Sequence, residues 1–171
     1  QEIDGGVDGV TYDTTAYPVK VVVTKDAITN ALSAEARYGT TEANALTITN
    51  RRDSSFATIQ ATKSFNDWGK AKSFEFTLQA KDNAPMPADA KDGKVAKTVT
   101  DDARTAVFGQ IEYKSAGTYE YTITETKGNV PGVTYDTAEH NVVVTVTKGQ
   151  DNKLSTDVKY DEQDALIITN T

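Results

Sequence analysis

Residues 107–125 read VFGQIEYKSAGTYEYTITE. On either side of the turn-forming KSAG lie runs rich in β-branched and aromatic residues, and in YEYTITE apolar and polar positions alternate, the pattern of half-buried antiparallel strands joined by a turn. The same texture extends outward in both directions. The chain holds 26 Thr and 16 Val with 8 Tyr and 5 Phe, against one Met and one Trp, a strand-former's composition. No segment keeps a helical period beyond about two turns. The expectation is an all-β sandwich, with strands near 56–65, 73–80, 95–100, 105–113, 118–125, 134–147, 154–160 and 165–170. The Pro and Ala of NAPMPADA, residues 83–90, predict an exposed insertion between strands. Trp68 falls in the loop NDWGK, where it reads as a lid on one end of the core or as a ligand-stacking residue.

Comparing the chain with itself divides it. GVTYDTTAYPVKVVVTK at 9–25 matches GVTYDTAEHNVVVTVTK at 132–148 without a gap, ALSAEARY matches KLSTDVKY, and ALTITN at 45–50 matches ALIITN at 165–170. Residues 1–51 therefore read as the C-terminal part of one β-sandwich repeat, 52–55 as a junction, and 56–171 as a complete repeat. About fifty residues with some three strands leave a sheet face and an edge uncovered, so the first unit is expected to be incomplete by itself.

Composition narrows the function. The 171 residues carry 18 basic and 25 acidic side chains, a net charge of −7, which speaks against a phosphate-tracking surface and hence against nucleic acid. With no Cys and one His there is no disulfide, thiolate nucleophile, zinc-thiolate site or histidine cluster. No apolar run reaches the roughly 20 residues that cross a bilayer. The acidic turns DGGVDG at 4–9 and GQDNK at 149–153 fall short of a dedicated Ca²⁺ loop, so no cofactor or metal is expected.

Strand parity isolates three polar residues. Successive side chains of a strand point to opposite faces, so residues two apart share one. In ATIQATKSF, Lys63 shares its phase with Ala57, Ile59, Ala61 and Phe65; in YEYTITE, Glu125 follows Tyr119, Tyr121 and Ile123; in ALIITN, Asn170 follows Leu166 and Ile168. An amine, a carboxyl and a carboxamide are thus aimed at one core. Near a strand end a Lys can snorkel and an Asn can cap a turn. A second reading is a buried Lys–Glu ion pair with Asn beside it. The third is a covalent Lys63–Asn170 link. Desolvation lowers the pKa of a buried amine and raises that of a buried carboxyl, so a proton passing between them leaves a neutral nucleophile. Glu125 would then hydrogen bond the Asn170 carboxamide oxygen and shuttle protons as ammonia leaves. A fold holding amine and amide carbon together supplies an effective concentration of about 10⁵ M or more.

With ATKSF, FEFTLQAKD, VFGQIEYKSAGTYEYTITE, GVTYDT and the closing ITNT, residues 56–171 resemble the isopeptide-linkage repeat of Gram-positive major pilins and wall-anchored adhesins. The resemblance implies an immunoglobulin-like (CnaB-type) antiparallel β-sandwich, strung in tandem along a fibre or stalk. It also implies a spontaneous isopeptide bond between Lys63 and Asn170 with Glu125 as the catalytic residue. In the first unit Glu2 and Asn50 stand at the corresponding positions, but no matching Lys strand precedes them, so no bond at Asn50 is expected within this chain. An LPxTG-like sorting signal is absent, which fits a fragment of a cell-wall-anchored surface protein. YPVK at 17–20 faintly echoes a pilin motif, yet Lys20 takes the outward phase and reads as a surface lysine.

The function expected is a structural stalk or pilus-shaft module whose partners are neighbouring repeats of the same polypeptide or fibre. It would not be an enzyme beyond one autocatalytic turnover in cis. The alternative is an adhesin module whose loops bind a host protein or glycan, with Trp68 the candidate contact. His140 aligns with Tyr17 and reads as a strand residue. A Thr–Gln ester staple is disfavoured, because Gln110 and Gln163 lack neighbours in phase.

Overall fold

A computed structural model describes residues 1–171, which are all-β and divide into two compact units, Gln1–Arg52 and Asp53–Thr171. The first unit holds β1 (Val10–Thr11), β2 (Val19–Lys25), β3 (Leu32–Tyr38) and β4 (Arg51–Arg52). β2 and β3 form an antiparallel ladder from Val19↔Tyr38 to Lys25↔Leu32, and β1 pairs with β4. One face of the hairpin is bare: Val19, Val21 and Val23 are 57%, 60% and 60% exposed.

The second unit contains β5 (Ser55–Ser64), β6 (Ser73–Ala80), β7 (Lys94–Thr100), β8 (Thr105–Tyr113), β9 (Gly117–Glu125), β10 (His140–Lys148), β11 (Leu154–Tyr160) and β12 (Ile167–Thr169). A five-stranded sheet runs β11-β10-β9-β6-β7 and a three-stranded sheet runs β12-β5-β8. All neighbours are antiparallel except β12 and β5, which lie parallel with Ile168 opposite Lys63. The expectation of a purely antiparallel sandwich is corrected at this one pair, which sets the unit's first and last strands side by side in the same direction.

Alternation explains the packing. Ala57, Ile59 and Ala61 of β5, Phe74, Phe76 and Leu78 of β6, Tyr121 and Ile123 of β9, Val142, Val144 and Val146 of β10, and Ile168 of β12 are buried in one cluster between the two sheets, the layering of a β-sandwich. Burying each large apolar side chain contributes about 1.5–3 kcal/mol. The residues matching the bare Val19, Val21 and Val23 are those three β10 valines, each at most 3% exposed.

One irregularity tunes the inner sheet. The β5–β8 register shifts between Thr58↔Gln110 and Gln60↔Val107, which places an extra residue on β8 at Phe108–Gly109. The bulge resets the parity, so that Ala106 and Phe108 before it and Ile111 and Tyr113 after it all point inward. Gly109 adopts φ +103°, and a Cβ there would lie 3.1 Å from the Pro87 side chain. The Gln60 N–H at the shift donates instead to the Tyr160 hydroxyl at 3.0 Å.

Two expectations on connecting segments are corrected. The 83–90 insertion does not project freely: Pro87 is buried and the Tyr121 hydroxyl donates to the Pro85 carbonyl at 2.7 Å, so the segment closes over the bulge. Residues 134–139 are not strand, and β10 begins at His140. Their backbone is occupied elsewhere, with Thr134 exchanging N–H···O bonds with Thr171 and the Asp136 N–H turned toward two side chains.

Candidate functional site

Three elements converge at one end of the second unit's core. Lys63 reaches inward from β5 of the three-stranded sheet, Glu125 ends β9 in the five-stranded sheet opposite Phe76, and Asn170 follows β12. The Asn170 N–H donates to the Ser64 carbonyl at 3.0 Å, which continues the β5–β12 pairing past β12 and fixes where its side chain enters. The loop between β9 and β10 brings the Asp136 N–H to Glu125 and Asn170.

The side chains touch. The Lys63 Nζ donates to Glu125 Oε1 at 2.7 Å, and the Asn170 Nδ2 donates to the same oxygen at 2.9 Å. The Asp136 N–H is shared between Glu125 Oε2 at 2.9 Å and Asn170 Oδ1 at 3.0 Å. Both charged side chains are fully withdrawn from solvent. Glu125 therefore contacts the carboxamide nitrogen, not its oxygen as the sequence suggested, and the oxygen is held by a backbone amide. That amide is the group sequence reasoning missed, because an N–H belongs to any residue type. The repetition of TYDT at 11–14 and 134–137 was the available signal.

Electrostatics set the amine. Burial pushes the Lys63 amine below its ordinary 10.5, against the opposing pull of the Glu125 hydrogen bond and charge and of the Asp136 charge. Its Nζ also sits 4.5 Å from the Phe74 ring centroid and 5.6 Å from that of Phe76, contacts that favour the cation. Phe65, Trp68 and Phe74 pack edge to face beside it with centroids 5.1–5.8 Å apart, an apolar plug at this end of the core.

The first unit repeats part of this geometry. Asn50 Nδ2 donates to Glu2 Oε1 at 2.8 Å, and the Asp13 N–H donates to Asn50 Oδ1 at 3.2 Å. Lys20 lies on the surface, paired with Glu42 at 2.8 Å. Trp68 is 8% exposed and offers no stacking surface. His140, at the start of β10, bridges Asp136 and Asp161. Gln110 and Gln163 are exposed. No helix is long and apolar enough to cross a membrane.

The site is thus a buried carboxyl that holds an amine and a carboxamide on one oxygen, inside an all-β unit. Residues 59–171 match the FctA family, described as the Spy0128-like isopeptide containing domain. The chain belongs to that family, and its second unit is a Gram-positive pilin isopeptide domain. No curated protein matches the chain.

Proposed function

We propose that the second unit staples itself through an isopeptide bond between Lys63 and Asn170, and that it serves as a load-bearing repeat of a surface stalk or pilus shaft. The observation carrying this reading is the contact of Lys63 and Asn170 with one oxygen of Glu125, all three side chains buried in the core. Glu125 takes a proton from the Lys63 ammonium; the neutral Nζ adds to the Asn170 carboxamide carbon; Glu125 passes its proton to Nδ2 and takes the second proton from the added Nζ as the C–Nδ2 bond breaks, so that Glu125 ends protonated beside a neutral amide. One C–N bond forms, one breaks, and ammonia leaves. The fold supplies the proximity, and the Asp136 N–H faces the oxygen that gathers charge. No external substrate or cofactor takes part, and the step runs once.

The placement of the two residues suits a mechanical role. They tie the first strand of the unit to its end, so tension across it passes through a covalent bond rather than through the β5–β12 ladder. The sandwich is read as CnaB-type. Residues 1–51 are read as the C-terminal part of a preceding repeat, whose bare Val19, Val21 and Val23 would be covered by the strands it lacks. Neighbouring repeats are the proposed partners, and a cell-wall surface the proposed location. Digestion of the denatured chain and fragmentation of the products tests the bond: one branched species should contain the peptides of both Lys63 and Asn170. Recovery of the two peptides only as separate linear species would refute it.

A further inference from the structure

The Asp136 loop carries a device that the trio does not explain. One carboxylate oxygen of Asp136 accepts the Ala138 N–H at 2.7 Å, and the other lies 3.3 Å from His140 Nε2. The opposite ring nitrogen of His140 is 2.8 Å from Asp161 Oδ2, while Asp161 Oδ1 accepts the Asn141 N–H at 2.8 Å. The loop is thereby bolted to β10 and to the turn after β11, with the Asp136 N–H directed at Glu125 and Asn170.

The first unit builds the same device from different residues. Asp13 Oδ1 accepts the Thr15 N–H at 2.9 Å, Asp13 Oδ2 accepts the Tyr17 hydroxyl at 2.5 Å, and the Asp13 N–H donates to Asn50 Oδ1. His140 and Tyr17 occupy equivalent positions in the repeat, four residues after the aspartate. A histidine and a tyrosine share little beyond a polar edge at that reach, so what recurs is the hold on the aspartate. In both units the held aspartate turns its own N–H onto the asparagine carboxamide oxygen, at 3.2 Å in the first and 3.0 Å in the second.

We propose that Asp136 is a positioning residue for the crosslink, its side chain fixed by His140 and the Ala138 amide so that its own N–H stays on the Asn170 carboxamide oxygen. The inference rests on the crosslink reading above. As the Lys63 amine adds, negative charge gathers on that oxygen, and a fixed donor aimed there is worth about 10²–10³ in rate. Loosening the loop forfeits part of that factor, together with the same amide's hydrogen bond to Glu125 Oε2, while the identities of Lys63, Glu125 and Asn170 stay unchanged.

The test follows loss of ammonia by time-resolved intact mass as the full chain refolds from denaturant, starting from material that has not yet folded. Asp136→Ala should slow the loss at least 10-fold, whereas Asp136→Asn, which keeps the accepting oxygen and removes the charge, should stay within about 3-fold of wild type. His140→Phe should slow it and His140→Tyr, the residue the first unit uses, should restore it. The thermal midpoint of each variant, measured with Asn170→Ala added so that no crosslink forms, should not follow the order of the rates. Asp136→Ala reacting at the wild-type rate, or Asp136→Asn as slow as Asp136→Ala, overturns the proposal. If Asp136→Ala does not fold, the His140 pair decides alone: equal rates for Phe and Tyr overturn it. A wild type that never loses ammonia fails the crosslink reading itself; a wild type that loses it beside unaffected variants fails only the positioning role.

Discussion

Asn170→Ala removes the electrophile and keeps the Lys63–Glu125 pair, so it isolates what the crosslink does for stability. The bond would close a loop of about 110 residues, and in the chain-entropy treatment such a closure destabilises the unfolded state by about 4.7 kcal/mol. The carboxamide oxygen, which the crosslink keeps, accepts the Asp136 N–H, and losing that hydrogen bond adds about 1 kcal/mol. A unit of about 120 residues unfolds with an entropy near 250 cal/mol/K, from about 2.1 cal/mol/K per residue. The crosslink alone then corresponds to about 19 °C in melting temperature, and the full substitution to about 23 °C. Trp68, the single tryptophan and a member of the second unit's core, reports the transition by fluorescence. A fall below about 10 °C would match an uncrosslinked wild type that loses only the two Asn170 side-chain hydrogen bonds, and would refute the loop-closure reasoning.

Glu125→Ala should be worse than Asn170→Ala by about 3–5 kcal/mol, because it abolishes the bond and also leaves Lys63 buried without a partner; adding Lys63→Met should recover much of that difference in urea unfolding. Stability should fall as pH rises from about 10. Burial raises the Tyr113 phenol above its ordinary 10.0 and pushes Tyr121 up to about 12, so the unfolded chain loses these protons first and the stabilisation present below pH 10 disappears through that window. Urea midpoints measured across the window should flatten in Tyr121→Phe. Gly109→Ala should cost about 1–3 kcal/mol in the same assay, since the bulge holds φ at +103° and Pro87 closes the space a methyl needs.

Much of the site was legible because strand parity is unforgiving. The inward phase of Lys63, Glu125 and Asn170 follows from counting in twos, and all three side chains are buried. The same counting fails along β8, where the bulge at Phe108–Gly109 shifts the phase between Phe108 and Ile111 without a strong local signal. It also over-extended β10, since GVTYDT has strand-like composition while its amides serve the site and the chain end. Which atom of the carboxamide meets Glu125 was beyond reach of any pattern, for it depends on where a backbone N–H points. The insertion at 83–90 read as exposed because Pro and Ala lack a periodic signature, although Pro87 and the Pro85 carbonyl seal the core.

The intact mass of the purified chain under denaturing conditions, beside Glu125→Ala, tests the crosslink most directly. Ammonia loss requires a mass about 17 Da below the sequence value in the wild type, restored in the variant. A wild type at full sequence mass would contradict it and leave Lys63, Glu125 and Asn170 as a buried hydrogen-bonded ion pair.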